Sequence, residues 1–172
     1  MPVNPVLMED AAAHAGAALQ PQCLTVQVGD EMFALGIEAI CEIVEYRDLT
    51  VVPLVKPVIR GVINLRGAVV PVVDLAVRLG RAPSPVTERS CIVVVELVHA
   101  SHWPRGYQLG LVVDAVSQVL ALAATDQVPA PEFGTHLRQD FIRAMARMEG
   151  RFMALLDLER ILSLSELAIS PA

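Results

Sequence analysis

The sequence contains two copies of one pattern, and this repeat limits the folds that the chain can adopt. Residues 66–79, RGAVVPVVDLAVRL, and residues 149–162, EGRFMALLDLERIL, each contain a turn glycine, an apolar strand, an Asp-Leu pair and a short helix. The turn and cap residues match at one constant spacing, Gly67 with Gly150 and Asp74 with Asp157. Chance similarity between apolar strands would not also preserve these positions. We assign the glycines to tight turns and the aspartates to helix N-caps.

A second pair of matching segments lies upstream of the first in each half. The segment AICEIV at 39–44 matches AVSQVL at 115–120, and each follows a strand that contains glycine. Two pairs in the same order indicate two related halves of about five strands each. Strands this short favour barrels, because closure removes exposed edges. We predict a mostly β fold of two five-stranded barrels with short helices, one of them at the C-terminus, and a binding groove between the barrels.

Changes in composition along the chain predict its domain boundaries. Residues 1–21 are rich in alanine and proline and are expected to form a flexible N-terminal tail. Residues 22–165 are expected to form a single domain of two intertwined halves. The first barrel is assigned to about 35–85 and the second to about 90–155, with terminal strands and helices bridging them. The segment RAPSPVTER at 81–89 has the composition of a linker.

The composition excludes some function classes. Hydrophobic residues make up 54% of the chain, aromatic residues only 4%, and the formal net charge is −6. A nucleic-acid-binding protein needs a basic face to displace counterions, and single-strand binders also need aromatic platforms. The sequence therefore predicts an aliphatic β core and no nucleic-acid partner.

The cysteines and the lack of targeting segments predict a cytoplasmic protein. Cys23, Cys41 and Cys91 are odd in number, widely spaced and outside any C-x-x-C motif, which is typical of reduced structural thiols. No basic and apolar leader is visible at the N-terminus. No segment approaches the roughly 20 apolar residues that a membrane span needs, so direct membrane insertion is not expected.

A search for catalytic or metal-binding residues finds no convincing set. His99 and His102 form the only close histidine pair, without a cysteine or glutamate at ligand spacing. Phosphate-binding loops and nucleophile motifs are absent from the sequence. Trp103 lies in a polar loop, either as an anchor for a partner or as a lid on the local barrel. We predict no enzymatic activity, no metal and no cofactor.

The remaining candidate features belong to a surface for partners. Ile40 and Glu42 alternate along one strand, so their side chains should share a face. Either they form an exposed apolar and acidic patch, or a bulge separates them and Ile40 faces the core. Arg66 raises a related question, because a tight turn requires Gly67 but no arginine, and the second copy has Glu149 at this position.

Five segments in the expected order resemble the family of the chemotaxis coupling protein CheW. Together they cover about residues 22–165, most of the chain, and GVINLRGAVVPVVDL is the most specific of their motifs. The segments are GDEMFALGIEAICEIVEY, PVIRGVINLRGAVVPVVDLAVRLG, LGLVVDAVSQVLAL, VPAPEF and GRFMALLDLERIL. The resemblance implies two five-stranded SH3-like barrels and no enzymatic activity. It also implies coupling of transmembrane chemoreceptors to the histidine kinase CheA, whose regulatory domain has the same double-barrel fold.

The resemblance also suggests individual site residues and a location. Arg66 matches the family's turn arginine, which is linked to receptor coupling and to bracing the groove. Ile40 and Glu42 match positions beside the receptor-binding groove, and Leu49 lies in the segment that follows. The expected partners are the cytoplasmic tip of a chemoreceptor and the regulatory domain of a CheA-type kinase. The expected location is the cytoplasm, with recruitment to receptor arrays at the membrane.

Three departures from the family pattern leave the pathway open. Pro57 is shifted by one position, the loop at 99–107 is longer than usual, and the N-terminal tail is extended. These features suggest a variant coupling protein from a specialised chemosensory pathway. The alternatives are a detached regulatory module of a CheA-like kinase, or a coupling protein whose pathway controls pili or a second messenger.

Overall fold

The part of the chain that the structure describes is mostly β, with eleven strands in two sheets. The computed structural model describes residues 20–47, 49–98, 107–130 and 136–169. The strands are β1 Gln22–Val28, β2 Glu31–Gly36, β3 Ile40–Glu45, β4 Ile59–Leu65, β5 Ala68–Asp74, β6 Cys91–Leu97, β7 Tyr107–Val113, β8 Ala115–Ala121, β9 Gln127–Val128, β10 Ile142–Met148 and β11 Arg151–Leu156. The α-helices are α1 Leu75–Arg78, α2 Leu158–Ile161 and α3 Leu164–Leu167. The predicted mostly β class with short helices is therefore confirmed.

The two sheets have matching strand orders. The five-stranded sheet runs β4-β5-β7-β6-β3, and the six-stranded sheet runs β9-β10-β11-β2-β1-β8. Each sheet contains one parallel pair at the equivalent place, β5 with β7 and β11 with β2, while the other pairs are antiparallel. Apart from the two-residue β9, the second sheet repeats the first strand by strand.

The two sheets do not follow the barrel boundaries expected from the sequence, about 35–85 for the first barrel and about 90–155 for the second. Strands β6 and β7 lie in the second range but complete the sheet of β3, β4 and β5. Strands β1 and β2, which lie before the first range except for the last two residues of β2, complete the sheet of β8 to β11. Each half therefore receives one hairpin from the other part of the chain. The repeat matches strands by their order along the chain, so it does not reveal this exchange.

The repeat extends to irregularities in the strands. The β4–β5 ladder shifts register between Ile59 and Gly61, and the β10–β11 ladder shifts at the matching residues Ile142 and Ala144. A β-bulge places two residues of one strand opposite one residue of its partner and bends the strand. Bulges at equivalent positions show that the two halves share their detailed backbone geometry as well as their strand order.

Both repeat hairpins close with the same two-residue turn. Arg66 and Gly67 have φ of 52° and 85°, and Glu149 and Gly150 have φ of 51° and 75°. Positive φ at both central residues is the type I′ geometry that matches the twist of a hairpin, and glycine adopts it without strain. In the first turn, the side chain of Asn64 also accepts a hydrogen bond of 3.0 Å from the Gly67 N–H.

The two repeat aspartates begin equivalent helices. The Val77 N–H donates to Asp74 Oδ1 at 3.3 Å, and the Arg160 N–H donates to Asp157 Oδ1 at 3.2 Å. The C-terminal segment, expected as one helix from Asp157, forms the two short helices α2 and α3. They are separate because Ser163, with φ −58° and ψ 114°, leaves the helical conformation between them.

Three apolar clusters hold the sheets together. The largest lies between the two sheets and includes Phe33, Leu111 and Ile161, each at most 1% exposed. The five-stranded sheet also has a smaller cluster on its other face, which we name the inner cluster. Its buried members are Ile63, Val70, Val72, Ile92, Val94 and Val112. A corresponding cluster on the six-stranded sheet contains Cys23, Ala34 and Met148.

Two predicted segments lie outside the described residues. They are residues 1–19 of the tail and residues 99–106 of the loop, which include His99, His102 and Trp103.

Candidate partner-binding surface

A bulge in β3 separates two of the predicted site residues. Ile40 pairs with Val95 and Glu42 pairs with Val94, so Cys41 has no partner of its own across the ladder. Ile40 packs against the cluster between the sheets. Glu42 and Val44 are two residues apart on β3, so their side chains lie on the same face of the strand. Val44 packs against the inner cluster. The shared exposed patch is therefore the wrong interpretation, and the bulge is the right one.

Arg66 and Glu42 come together at the end of the five-stranded sheet. A guanidinium nitrogen of Arg66 lies 3.4 Å from Glu42 Oε2. The side chain of Arg66 is 83% exposed and that of Glu42 is 27% exposed. Ion pairs in such exposed positions contribute about 0–1 kcal/mol, because water screens them. The pair orients the guanidinium more than it stabilises the fold, and most of the guanidinium remains open to solvent.

Leu49 lies on the inner cluster, close to the same turn. Val44, Tyr46, Leu49 and Leu65 are all partly buried against this cluster, and Leu65 directly precedes Arg66. The chain at Leu49 can approach β4 closely because residue 61 is glycine. A Cβ at Gly61 would lie 2.3 Å from the Thr50 carbonyl oxygen and 3.2 Å from Leu49 Cγ. Leu49 therefore packs on the same cluster as Leu65, the residue before Arg66, whereas Ile40 packs on the cluster between the sheets.

The connection from β3 to β4 carries an exposed apolar segment that the sequence analysis missed. Val51 is 76% exposed, Val55 is 42% exposed, and Leu54 is fully exposed with φ of 62°. Contiguous exposed apolar side chains mark interaction surfaces. Left-handed backbone at a leucine is uncommon, and such conformations concentrate at functional sites. The available signal was the apolar run VVPLV in a segment whose prolines exclude a central strand.

Asp74 has a further role beyond capping α1. Its side chain is fully buried, and Asp74 Oδ2 accepts a 2.8 Å bond from Arg60 Nε and a 3.2 Å bond from the Ser84 N–H. Arg60 also donates to the Ser84 carbonyl oxygen and lies 5.9 Å from the centre of the Tyr46 ring. This network ties β4, β5 and the following linker together. Its hydrogen bonds occupy the carboxylate in a structural role.

The second half contains the counterpart of the Arg66–Glu42 pair. Glu149 matches Arg66 in the repeat, and Gln118 matches Glu42. The Gln118 Nε2 donates to Glu149 Oε1 at 3.1 Å. The same two positions therefore meet in both halves, but the turn residue is basic in one half and acidic in the other. Beside the acidic turn lies an open cavity of about 800 Å³ whose lining includes Met32, Met145, Met148 and Met153.

The described residues contain no cluster of side chains suited to metal binding. No group of three or more histidine, cysteine, aspartate or glutamate side chains is placed there to hold a metal. All three cysteines are free. Burial raises the pKa of the Cys23 thiol, and burial followed by the charge of Glu96 raises the pKa of the Cys41 thiol. A raised pKa reduces the thiolate fraction, so neither thiol is activated as a nucleophile.

Within the described ranges, no helix combines the length and apolar character that a membrane crossing requires.

The fold and the site together describe a protein-interaction domain built from two related β-sheets. The CheW-like domain model matches residues 22–166, and the chain belongs to this family. The family resemblance inferred from the sequence is thereby confirmed. The family is one of chemotaxis scaffold proteins rather than enzymes.

Individual relatives agree with this assignment over most of their length. The chain is 35% identical over 147 residues to a probable chemotaxis protein CheW of Rhizobium etli, covering 84% of this chain and 89% of the relative. It is 33% identical over 154 residues to the chemotaxis protein CheW of Rhizobium meliloti, covering 90% and 94%. The crystal structure of the scaffolding protein TtCheW from Thermoanaerobacter tengcongensis superposes with a TM-score of 0.73 at 26% identity, covering 83% and 88%.

Proposed function

We propose that this protein couples chemoreceptors to a CheA-type histidine kinase as a non-catalytic adaptor. The observation that supports this most directly is the exposed guanidinium of Arg66, held beside Glu42 at a left-handed turn. A turn that served only to close the hairpin would not require a long cationic side chain. Family membership supplies the chemotaxis context, and the exposed charge supplies the point of contact.

The receptor surface comprises the Arg66–Glu42 pair and the apolar residues around it. A guanidinium recognises carboxylates and carbonyl oxygens with fixed geometry, while apolar side chains provide most of the contact energy. Leu49 and the exposed Val51 and Leu54 follow one another in the same connection. A charged group beside an apolar strip fits the side of a helical hairpin, which is the form of a chemoreceptor tip.

The second partner is the regulatory domain of the kinase. The regulatory domain of the kinase is expected to have the same double-barrel fold as the coupling protein, so the two can pack through related surfaces. We assign the protein to the cytoplasm and to receptor arrays at the membrane, where receptor and kinase meet. The near-complete coverage of curated CheW proteins, 89% and 94% of two relatives, favours a coupling protein over a detached kinase module.

Reconstitution with purified partners tests the proposal. The wild-type protein should pull down a receptor cytoplasmic fragment and a CheA-type kinase, and should raise kinase autophosphorylation when receptor is present. Arg66→Ala should lower receptor-dependent kinase activity by about tenfold, the effect expected for a residue central to an interface. Its melting temperature should change little, because the ion pair is exposed.

Arg143→Ala is the matched control for this experiment. Arg143 is also exposed, at 61%, and pairs with Glu38 at 3.3 Å, but it lies on β10 in the other sheet. The Arg143→Ala substitution should leave receptor-dependent kinase activity unchanged. Binding of the wild type to neither partner would overturn the proposal. If Arg66→Ala unfolds the protein, the arginine is structural and the assigned contact is wrong.

A further inference from the structure

The carboxylate of Glu166, on helix α3, connects two arginines from distant parts of the chain. Arg138 makes two contacts of 3.1 Å, one to each carboxylate oxygen, and Arg78 makes a close contact to Oε2. Bidentate arginine–carboxylate pairs are geometrically specific. Hydrogen bonds from Arg138 and then from Arg78 lower the pKa of Glu166 to about 2. Glu166 therefore remains charged and joins α1, α3 and the segment that precedes β10.

Both arginines also stack on one buried ring. The guanidinium of Arg138 lies 4.3 Å, and that of Arg78 4.7 Å, from the centre of the Phe141 ring. Phe141 itself is 1% exposed. Stacking on an aromatic face reduces the freedom of a guanidinium and adds an attraction to the ring quadrupole. The ring thus helps to hold both arginines in the position in which they contact the carboxylate.

Arg78 also terminates the neighbouring helix α2. Its Nε donates to the Ile161 carbonyl oxygen at 2.6 Å, and a terminal nitrogen donates to the Arg160 carbonyl oxygen at 3.3 Å. These carbonyls belong to the last turn of α2, where the regular helical pattern ends, although the Arg160 carbonyl oxygen also accepts the Ser163 N–H at 3.4 Å. One arginine from the first repeat therefore contacts both C-terminal helices, α2 and α3.

Lys56 extends this network to the exposed connection between β3 and β4. Its ammonium donates to the Glu166 carbonyl oxygen at 2.7 Å. The adjacent backbone is also anchored, because the Ile59 N–H donates to the Lys56 carbonyl oxygen and the Asp74 N–H donates to that of Val58. On the other side, Thr50 and Val62 exchange two backbone hydrogen bonds of 2.9 Å. Residues 51–55, with their exposed apolar side chains, span these two anchors.

We propose that Lys56 is a positioning residue that fixes the 51–55 loop to helix α3, so that docking of α3 sets the position of the coupling surface. This inference rests on the proposed function, because it assigns the loop to the surface that contacts the receptor. Release of α3 would remove the side-chain anchor nearest to the loop, leaving the backbone hydrogen bonds at Thr50 and Val58, and would weaken docking without touching Arg66.

Chemical labelling reports on this contact without any partner. Lys56 is the one lysine of the sequence. Limited acetylation followed by mass spectrometry therefore measures the reactivity of its amine relative to that of the N-terminal amine. Glu166→Gln weakens the arginine contacts that dock α3 and should raise labelling of Lys56 by about three- to tenfold, the range for loss of one hydrogen bond. Glu38→Gln removes the same charge from an exposed pair with Arg143 and should leave the labelling unchanged.

Hydrogen exchange and partner binding complete the test. Exchange of the Ile59 amide, measured by NMR, should be faster in Glu166→Gln and in Lys56→Ala, and close to wild type in Lys56→Arg, which keeps a donor. Affinity for the receptor fragment should fall in the first two variants and recover in Lys56→Arg. Combining Lys56→Ala with Glu166→Gln should add little to either single change, because both act through one contact.

Two results would overturn the inference. One is unchanged labelling and unchanged exchange in Glu166→Gln, which would mean that α3 does not hold the connection. The other is faster exchange with unaltered receptor affinity, which would mean that the loop position does not affect docking. If the wild type binds neither receptor nor kinase, the proposed function fails and the docking role falls with it. Labelling and exchange would still decide whether Lys56 links the connection to α3.

Discussion

Arg66 and Glu149 occupy equivalent turns of the two halves, with φ of 52° and 51°, and carry opposite charges. Each side chain contacts the repeat-equivalent residue of its own sheet, Glu42 at 3.4 Å for Arg66 and Gln118 at 3.1 Å for Glu149. The backbone geometry is thus the same, while the chemistry presented at the two turns differs. The hairpin itself does not require either sign of charge, so the difference points to different contacts for the two halves.

Exchanging the two charges of the Arg66–Glu42 pair should distinguish the effect of the ion pair on stability from the effect of an exposed arginine on receptor coupling. In Arg66→Glu combined with Glu42→Arg, opposite charges again face each other, so thermal stability should stay within about 1 kcal/mol of the wild type. Receptor-dependent kinase activation should nevertheless be lost, because the partner meets a carboxylate at the turn. Calorimetry and a kinase assay would measure the two effects. Activation at the wild-type level would mean that only the ion pair matters.

The two repeat aspartates should differ in their sensitivity to neutralisation. Asp74→Asn leaves Arg60 without its buried carboxylate and should destabilise the protein by about 3–5 kcal/mol, the usual cost of breaking a buried pair. Asp157→Asn keeps a good N-cap residue and should cost less than about 1 kcal/mol. Urea unfolding of the two variants would compare them directly. Equal losses would show that the Arg60 contact adds little beyond the cap.

Acid should weaken the attachment of α3 before it unfolds the sheets. The pKa of Glu166 is lowered from 4.5 to about 2, so the folded state favours its charged form. The resulting stabilisation is fully present above about pH 4.5 and is lost as the pH falls towards 2. The pKa of Asp140 is lowered as well, through its hydrogen bonds from Arg138. Urea unfolding between pH 6 and 2.5 should therefore show a steeper loss of stability in the wild type than in Glu166→Gln. Identical pH profiles for the two proteins would contradict this assignment.

The local features of this fold could be predicted from the sequence because they depend on a few neighbouring residues. A glycine after a polar residue between two apolar strands predicts a type I′ turn, as found at Gly67 and Gly150. An aspartate before an apolar segment predicts an N-cap, as found at Asp74 and Asp157. The repeat of these signals predicted two related halves, and the family motif singled out Arg66.

The candidate site was harder to predict, because bulges and packing determine which side chains are exposed. Alternation placed Ile40 and Glu42 on one face, but the bulge at Cys41 turned Ile40 towards the cluster between the sheets. The residues around Cys41 carry no distinctive signal for a bulge. The exposure of Val51 and Leu54 depends on the path that the connection between β3 and β4 takes over the sheet.

The sequence by itself determined the strands, the turns, the helix caps and the relation between the two halves, since each follows from short-range periodicity and local hydrogen bonding. Only the tertiary structure decided which hairpin completes which sheet. The parallel pairs β5–β7 and β2–β11 join strands that are not consecutive in the chain, and several partners with similar apolar patterns were available to each. The choice between them depends on burial of the whole cluster between the sheets, which no local segment specifies.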